Sequence, residues 1–379
     1  MSNHFREGDG TLQGEGQRHG GNLVATARRL GCRPDQLLDA SASLVPFGPP
    51  ASVRRVLGRA LGIAAGRPSP LRDYPDRSYA RLRTAIAACH GLDPDGVLPG
   101  NGAAELFTWA ARDAAAAGPS LLPSPGFADY QRALACWGGN WRTLSLPLQE
   151  GFPAAAAIAA ATPWSATAAG ALWITNPHNP TGQLWSRASL EPLLGHFALV
   201  IVDEAFLPLV PGGEAQSLIP LLAGHPHLVV IRSLTKLFAI AGLRLGYALA
   251  APERLGRWAA WRDPWPVNGL AAAVGEAVVG DQRWQERVRR WVATEEPWFQ
   301  QQLADLHGLT PLPSAANFLL VHGESSLLAL RERLESNQRV LLRDCRSFEG
   351  LGEQWLRIGL QDRRGNRRIL QALRAELAR

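Results

Sequence analysis

Lys236 is the only lysine among the 39 basic residues of this 379-residue sequence, so the other 38 are arginines. Arginine can replace lysine wherever only a positive charge is needed, but its guanidinium group does not lose its proton in proteins. A lysine amine can act as a nucleophile, or form an imine with an aldehyde, when burial or a nearby cation lowers its pKa. A single lysine in an arginine-rich sequence is therefore predicted to do covalent chemistry.

The segment around Lys236, SLTKLFAIAGLRLGY (233–247), has further groups that suit an anion. Ser233 offers a hydroxyl group, and Arg244 offers a cation near the amine. A second anion-binding segment is predicted at GNGAAEL (100–106), where two glycines precede an apolar helix and leave free N–H groups at its N-terminus. The same residues are equally typical of an ordinary turn and helix start.

Two more segments have polar side chains directly after apolar runs. In NPHNPTG (176–182) two prolines predict a rigid loop that presents Asn179, although a plain turn is the alternative. In VDEAF (202–206) Asp203 ends a predicted buried strand, where a carboxylate is costly unless a basic group meets it. The neighbouring Glu204 is expected to be exposed.

The elements that must position these residues are predicted from apolar runs. Runs at 171–175, 198–206 and 227–234 are continuously apolar, which is typical of parallel strands buried on both faces. Helical segments separate them, so an α/β fold with a mostly parallel sheet is predicted, and such sheets bind ligands at the carboxyl ends of their strands. Strand-like runs at 316–322 and 355–360 predict a smaller α+β domain. The predicted divisions are a flexible tail (1–17), an N-terminal arm (18–50), a large domain (51–262) and a small C-terminal domain (263–379).

Composition excludes several classes of protein. With 46% hydrophobic and 19% charged residues the chain is globular, and no apolar run approaches the roughly 18 residues of a membrane span. The net charge of +6 is spread along the chain, so nucleic-acid binding is not expected. The four cysteines, Cys32, Cys89, Cys136 and Cys345, form no CxxC pair, so neither a zinc or other metal site nor a disulfide framework is predicted, and a cytoplasmic location is expected.

Together, an imine-forming lysine, an aspartate, an asparagine and a phosphate-binding set meet the requirements of pyridoxal 5′-phosphate (PLP). In this order and spacing the motifs resemble the fold-type I, aspartate-aminotransferase-like family of PLP enzymes, from about residue 19 to the C-terminus. The resemblance implies that Lys236 carries the cofactor, that Asp203 pairs with its ring nitrogen and that Asn179 hydrogen-bonds its phenolic oxygen. It also implies that Ala103, Ala104, Ser233 and Arg244 bind the phosphate, and that Phe127 stacks on the ring, with Tyr130 as the second candidate.

Phe206 departs from the family pattern, because many members have a tyrosine there that donates to the phenolic oxygen. Tyr74, in DYPD (73–76), is expected to reach a cofactor phosphate, either in its own subunit or in the partner subunit of a homodimer.

Within this family, RHGGNL (18–23), SLTK with GLRLGY, and RDC followed by FEGL and LRI resemble the L-threonine-O-3-phosphate decarboxylases of cobalamin biosynthesis. The resemblance implies a small phosphorylated amino acid as substrate, with His19, Gly20 and Arg343 at its phosphate and Arg357 at its carboxylate. Ser43 lies where these decarboxylases usually have asparagine.

Two other functions stay open. Histidinol-phosphate aminotransferases share the cofactor residues, but they typically have NENPxG, DEAY and GTxEEN-like segments, where this sequence reads LVPFGPP, DEAF and IGLQDRRGN. The fold also occurs as a regulatory module that binds PLP without turnover.

Overall fold

The computed structural model describes residues 5–8, 20–61, 67–146, 148, 158 and 170–379. The strands are β1 (Phe5–Gly8), β2 (Leu38–Asp39), β3 (Val97–Asn101), β4 (Ser120–Ser124), β5 (Trp141–Ser145), β6 (Ala171–Thr175), β7 (Leu199–Asp203), β8 (Leu228–Ser233), β9 (Leu245–Leu249), β10 (Leu309–Pro311), β11 (Phe318–Gly323), β12 (Val340–Leu341), β13 (Arg343–Asp344) and β14 (Trp355–Gly359). The helices are α1 (Leu23–Arg29), α2 (Ala51–Leu61), α3 (Ala80–His90), α4 (Gly102–Ala117), α5 (Asp129–Ala135), α6 (Arg187–Leu190), α7 (Leu234–Leu237), α8 (Pro252–Trp261), α9 (Gly269–Val278), α10 (Gln282–Ala304), α11 (Leu328–Gln338) and α12 (Arg363–Leu377).

The larger sheet has the strand order β1-β5-β4-β6-β7-β8-β9-β3. The five central strands from β5 to β8 are parallel, whereas β9 is antiparallel to both of its neighbours and β1 is antiparallel to β5. The predicted strands at 171–175, 198–206 and 227–234 are confirmed as β6, β7 and β8. The α/β fold with a mostly parallel sheet is therefore confirmed.

Both faces of the larger sheet are covered, which explains why its strands are continuously apolar. In β7, Val200 and Val202 belong to one hydrophobic cluster, while Leu199 and Ile201 belong to another. This division follows from the two-residue period of a strand, which points successive side chains to opposite faces. Helix α4 packs in the second cluster through residues such as Leu106.

The second sheet is antiparallel, with the order β10-β11-β14-β13. The predicted strands at 316–322 and 355–360 are confirmed as β11 and β14. A third hydrophobic cluster joins this sheet to α10, α11 and α12 through residues such as Phe299, Leu334 and Leu370. The boundary near residue 262 stays a prediction.

An N-terminal segment is part of this second layer. Strand β2 pairs in parallel with β12, so that Leu38 lies opposite Val340, and the amide of Gly359 donates to the carbonyl of Ala40. The chain from residue 40 to 43 is therefore held beside β14. Within the residues that the structure describes, no helix combines the length and the apolar character needed to cross a membrane.

Candidate active site

The polar ends of three parallel strands meet at one edge of the larger sheet. Thr175, the last residue of β6, lies opposite Asp203, the last residue of β7, which in turn lies opposite Ile231 of β8. Asn179 follows β6 by four residues and Lys236 follows β8 by three. The parallel register therefore brings together the side chains that the sequence separates.

Lys236 lies partly buried at the start of α7, with its Nζ 5.9 Å from the ring centre of Phe206. Burial lowers the pKa of its ammonium group to about 8, and the positive charges of Arg357 and Arg244 act in the same direction, against the negative charge of Asp203. An amine with this pKa is partly neutral near physiological pH, as a nucleophilic amine must be.

Asp203 is buried and holds two hydrogen bonds. Its Oδ1 accepts from the amide of Ala205 at 2.9 Å, and its Oδ2 accepts from the hydroxyl of Tyr130 at 2.7 Å. Burial raises the pKa of the carboxyl group to about 6, and the two hydrogen bonds oppose that rise. Near neutral pH the carboxylate is therefore ionised and can pair with a cation.

The residues of the predicted anion site, Gly102, Ala103, Ala104, Ser233 and Arg244, lie around the N-terminus of α4. Strands β3, β9 and β8 bring these residues together, because Gly246 lies opposite both Gly100 and Ser233. Gly102 has φ +74°, and a Cβ there would lie 2.7 Å from Nη2 of Arg244. The guanidinium group thus reaches the backbone of the helix start, where N–H groups attract anions.

Arg357 and Arg343 form a pair across two strands. They lie opposite each other in the register of β13 and β14, and both are buried. Nη1 of Arg357 donates to Oδ1 of Asn179 at 2.5 Å, and its Cζ lies 4.9 Å from the ring centre of Phe318. Burial, followed by the charge of Arg343, lowers the pKa of Arg357 to about 10. Two buried cations side by side favour a ligand with two anionic groups.

A pocket adjoins Arg343 on the side of the N-terminal segment. It is lined by Gly20, Gly21, Asn22, Thr26, Ser41, Glu335, Leu341, Leu342, Arg343 and Asp344. Gly20 packs directly against the backbone of Ser41, since a Cβ at Gly20 would lie 2.2 Å from the carbonyl oxygen of Ser41. Both carboxylates of the pocket are already paired, Glu335 with Arg331 and Asp344 with Arg346, each at 2.6 Å. The sequence-predicted residue His19 lies outside the described residues.

The family model described as Aminotransferase class I and II matches residues 38–373. The chain belongs to this family. The threonine-phosphate decarboxylase of Salmonella typhimurium is 38% identical over 363 residues, which cover 94% of this chain and 95% of that protein. The histidinol-phosphate aminotransferase of Symbiobacterium thermophilum is 32% identical over 325 residues, covering 84% of this chain and 86% of its relative.

Solved structures of aminotransferase-family proteins share the fold. The histidinol-phosphate aminotransferase of Sinorhizobium meliloti, in complex with pyridoxal-5′-phosphate, superposes with a TM-score of 0.80 at 23% identity. The match covers 94% of this chain and 95% of that one. The fold-type I architecture expected from the sequence is therefore confirmed.

Other sequence-predicted residues of this aminotransferase-family chain lie around the same centre. Phe127 packs edge-to-face on Tyr130, with ring centres 5.6 Å apart. Phe206 packs edge-to-face on Phe318 at 5.1 Å. Ser43 is buried, its Oγ has no hydrogen-bond partner, and its carbonyl oxygen accepts from Asn317. These side chains supply the walls of the site.

Tyr74 is not brought into this centre by its own chain. Its side chain is 79% exposed and stacks on Trp265, with ring centres 4.3 Å apart. Tyr74 is therefore exposed while Trp265 is half-buried, and the reach of Tyr74 to a cofactor phosphate stays a prediction.

The expectation that Glu204 is exposed is wrong. Its side chain is fully buried and forms an ion pair with Arg232 at 2.7 Å, and Arg232 also binds Glu214. Glu204 therefore points away from Asp203, into the opposite side of the strand end, because successive residues of an extended chain alternate.

Sequence reasoning also missed Glu349, in the loop that follows β13. Its Oε1 accepts from the hydroxyl of Thr143 at 2.8 Å, and its carbonyl oxygen accepts from the hydroxyl of Ser124 at 2.7 Å. Gln131 donates to Oε2 at 3.2 Å. The same loop contains Ser347, whose hydroxyl oxygen accepts a hydrogen bond from Arg343. The loop is thus attached to the larger sheet. The available signal was weak, since a single glutamate in a polar loop is ordinarily solvated.

Proposed function

We propose that the chain binds PLP and decarboxylates L-threonine O-3-phosphate to (R)-1-amino-2-propanol O-2-phosphate in cobalamin biosynthesis. The observation that carries the proposal is the buried pair Arg343 and Arg357, which offers one cation to each anionic group of such a substrate. The 38% identity to the Salmonella threonine-phosphate decarboxylase over nearly the whole chain supports the same substrate.

The residues present fit PLP. The cradle between Gly102 and Arg244 suits its phosphate, together with the amides of Ala103 and Ala104 and the hydroxyl of Ser233. When bound, PLP supplies an aldehyde for covalent attachment and a ring that accepts the electrons of a bond broken at the substrate's Cα.

Side chains around the ring have separate tasks in this proposal. Asp203 would hold a proton at the ring nitrogen, and Lys236 would hold the cofactor through its amine. Asn179 accepts from Arg357 through Oδ1, so its Nδ2 group is the donor for the phenolic oxygen. Phe127 lies against the ring face. Tyr74 serves the phosphate site of the other protomer in a proposed homodimer.

Loss of the carboxylate, and not of the Cα hydrogen, requires orientation of the substrate. Bound PLP would accept the electrons of whichever Cα bond the residues hold perpendicular to its ring. His19, Gly20 and Arg343 would anchor the substrate's phosphate, and this remote binding energy would hold the carboxylate in that orientation. Arg357 and Ser43 would contact the carboxylate. Lys236 would be available to hold the proton that takes the place of the carboxylate at Cα.

The direct test supplies the purified protein, loaded with PLP, with L-threonine O-3-phosphate. Carbon dioxide and aminopropanol phosphate should appear in equal amounts without a 2-oxo acid. Transfer of an amino group from glutamate to imidazole-acetol phosphate would instead indicate an aminotransferase. Cofactor absorbance without either product would indicate a regulatory module.

The role of Arg343 has a matched control on the same hairpin. R343Q should raise KM for the phosphorylated substrate at least tenfold, because a charge-assisted hydrogen bond of about 1.5–3 kcal/mol is lost. R346Q should change it little, because the side chain of Arg346 is half-exposed and paired with Asp344. Equal effects of the two substitutions would contradict the assignment of Arg343.

We also propose that the chain works as a homodimer in the cytoplasm, with a small phosphorylated amino acid as ligand and no nucleic-acid or membrane partner. The exposed side chain of Tyr74, which stacks on the half-buried Trp265, supports the dimer. Light scattering of the purified protein would report twice the mass of 40.9 kDa if the proposal holds.

A further inference from the structure

The side chains of Thr175, Tyr130 and Asp203 form a hydrogen-bonded network at the carboxyl ends of β6 and β7. The hydroxyl of Tyr130 lies 2.7 Å from Oδ2 of Asp203 and 2.7 Å from Oγ1 of Thr175. Tyr130 comes from α5, whereas Thr175 and Asp203 face each other at the ends of β6 and β7. All three side chains are buried.

The hydroxyl groups of this hydrogen-bonded network all donate toward Asp203. An ionised carboxylate only accepts hydrogen bonds, so the single phenolic proton of Tyr130 goes to Asp203. The oxygen of Tyr130 then accepts from the hydroxyl of Thr175. The order is Thr175 to Tyr130 to Asp203, and each donor polarises the next.

We propose that Tyr130 is a positioning residue that keeps Asp203 ionised and aimed at the ring nitrogen of PLP, with Thr175 supporting Tyr130. The inference rests on the proposed binding of PLP. Tyr130 uses one acceptor position of Oδ2 and the amide of Ala205 uses one of Oδ1. A carboxylate has about four such positions, so room remains for the N–H group of the ring.

The physical effect of the phenol is on proton affinity. A donor to the carboxylate stabilises its charged form, which keeps the shared proton on the ring nitrogen. Without that donor, the carboxyl group binds the proton more strongly and the ring nitrogen loses it. The hydroxyl of Tyr130 therefore determines how strongly the ring attracts electrons.

The other charged groups that act on Asp203 or Tyr130 are Lys236, Glu204 and Asp129. Lys236 stabilises the carboxylate of Asp203 and Glu204 opposes it, but Glu204 is paired with Arg232 at 2.7 Å. Asp129, which faces Tyr130, is paired with Arg132 at 2.5 Å. Among the hydrogen bonds of the described residues, the carboxylate of Asp203 accepts only from the hydroxyl of Tyr130 and the amide of Ala205.

The ring of Tyr130 is held independently of its hydroxyl. It packs edge-to-face on Phe107 with ring centres 5.1 Å apart and lies 5.0 Å from the ring centre of Trp173. Tyr130→Phe therefore keeps the packing and removes only the donor. Tyr79→Phe is the matched control, because Tyr79 is also buried but its hydroxyl donates to the carbonyl of Val267, away from Asp203.

The experiment uses the holoenzyme prepared with PLP labelled with ¹⁵N in its ring. In the unsubstituted protein the ¹⁵N chemical shift should be that of a protonated ring. Y130F should move it toward the neutral ring and weaken PLP affinity roughly ten- to hundredfold, as expected for one hydrogen bond to a charged group. T175V should move the shift less in the same direction, whereas T175S and Y79F should leave it unchanged.

The outcomes separate this inference from the proposed function. Failure of the unsubstituted protein to bind PLP would overturn both. A protonated ring in the unsubstituted protein and an identical ¹⁵N shift in Y130F and T175V would overturn the role of Tyr130 alone. Thermal unfolding of each variant checks that it is folded, and T175V carries the test if Y130F is not.

Discussion

The pKa of Lys236 can be measured in isolation, because no other lysine is present. Burial, then Arg357 and Arg244, lowers this pKa from 10.5 to about 8. At about pH 7, roughly one amine in ten is neutral with a pKa near 8, against roughly one in 3,000 for an ordinary lysine. The structure therefore predicts an amine about 300-fold richer in its nucleophilic form.

Reductive methylation with ¹³C-formaldehyde would label only Lys236 and the N-terminal amine, and the K236R variant would identify the lysine signal. Its ¹³C shift, followed against pH in the PLP-free protein, should have a midpoint near 8. R357M should raise the midpoint, because a cation that disfavours the ammonium group is lost. D203N should lower it, because a stabilising anion is lost.

The pKa of Lys236 should therefore shift in opposite directions in R357M and D203N. A midpoint near 10.5 in the unsubstituted protein would mean that neither burial nor the neighbouring arginines act on the amine. Shifts in the same direction for R357M and D203N would mean that charge is not the cause. In either case the account of how Lys236 becomes nucleophilic would fail.

Two further predictions concern packing. Gly102→Ala should weaken PLP affinity at least tenfold, because φ is +74° there and the added Cβ would meet the guanidinium group of Arg244. Fluorescence titration would measure the affinity. Gly58→Ala should leave it unchanged, since no atom lies within 4 Å of a Cβ added at Gly58. Arg232→Met should lower the free energy of unfolding by about 3–5 kcal/mol in urea, because it leaves Glu204 buried without its partner. Arg33→Gln, in an exposed pair, should change it little; equal losses would contradict the prediction.

The sequence predicted those parts of the site that depend on local pattern. Continuous apolar runs located β6, β7 and β8, and parallel strands align their carboxyl ends without further information. Asp203, Asn179 and Lys236 were therefore predicted to lie together, because each lies at or shortly after the end of a predicted strand. The positive φ of Gly102 agrees with the glycine-rich turn that precedes α4.

The residues that sequence reasoning missed depend on contacts between distant segments. Glu204 looked solvated because its partner, Arg232, comes from the next strand, and no local pattern links the two. The hydroxyl of Tyr130, in α5, contacts Thr175 and Asp203, which lie 45 and 73 residues away in the sequence. Hydrophobic periodicity indicates which face a side chain occupies, but it does not identify the side chain's partner.

The segment from Arg343 to Glu349 has a consequence for protein engineering. Its residues Ser347 and Glu349 contact Arg343 and the larger sheet, respectively, whereas Lys236, Asp203 and the residues of the predicted anion site lie at or next to strand ends of the larger sheet. In the proposed function, selectivity for the distal group of the substrate and the covalent chemistry therefore depend on separate stretches of sequence. Exchanging seven consecutive residues between relatives is therefore a compact route to altered substrate preference, provided that the contacts of Glu349 are kept.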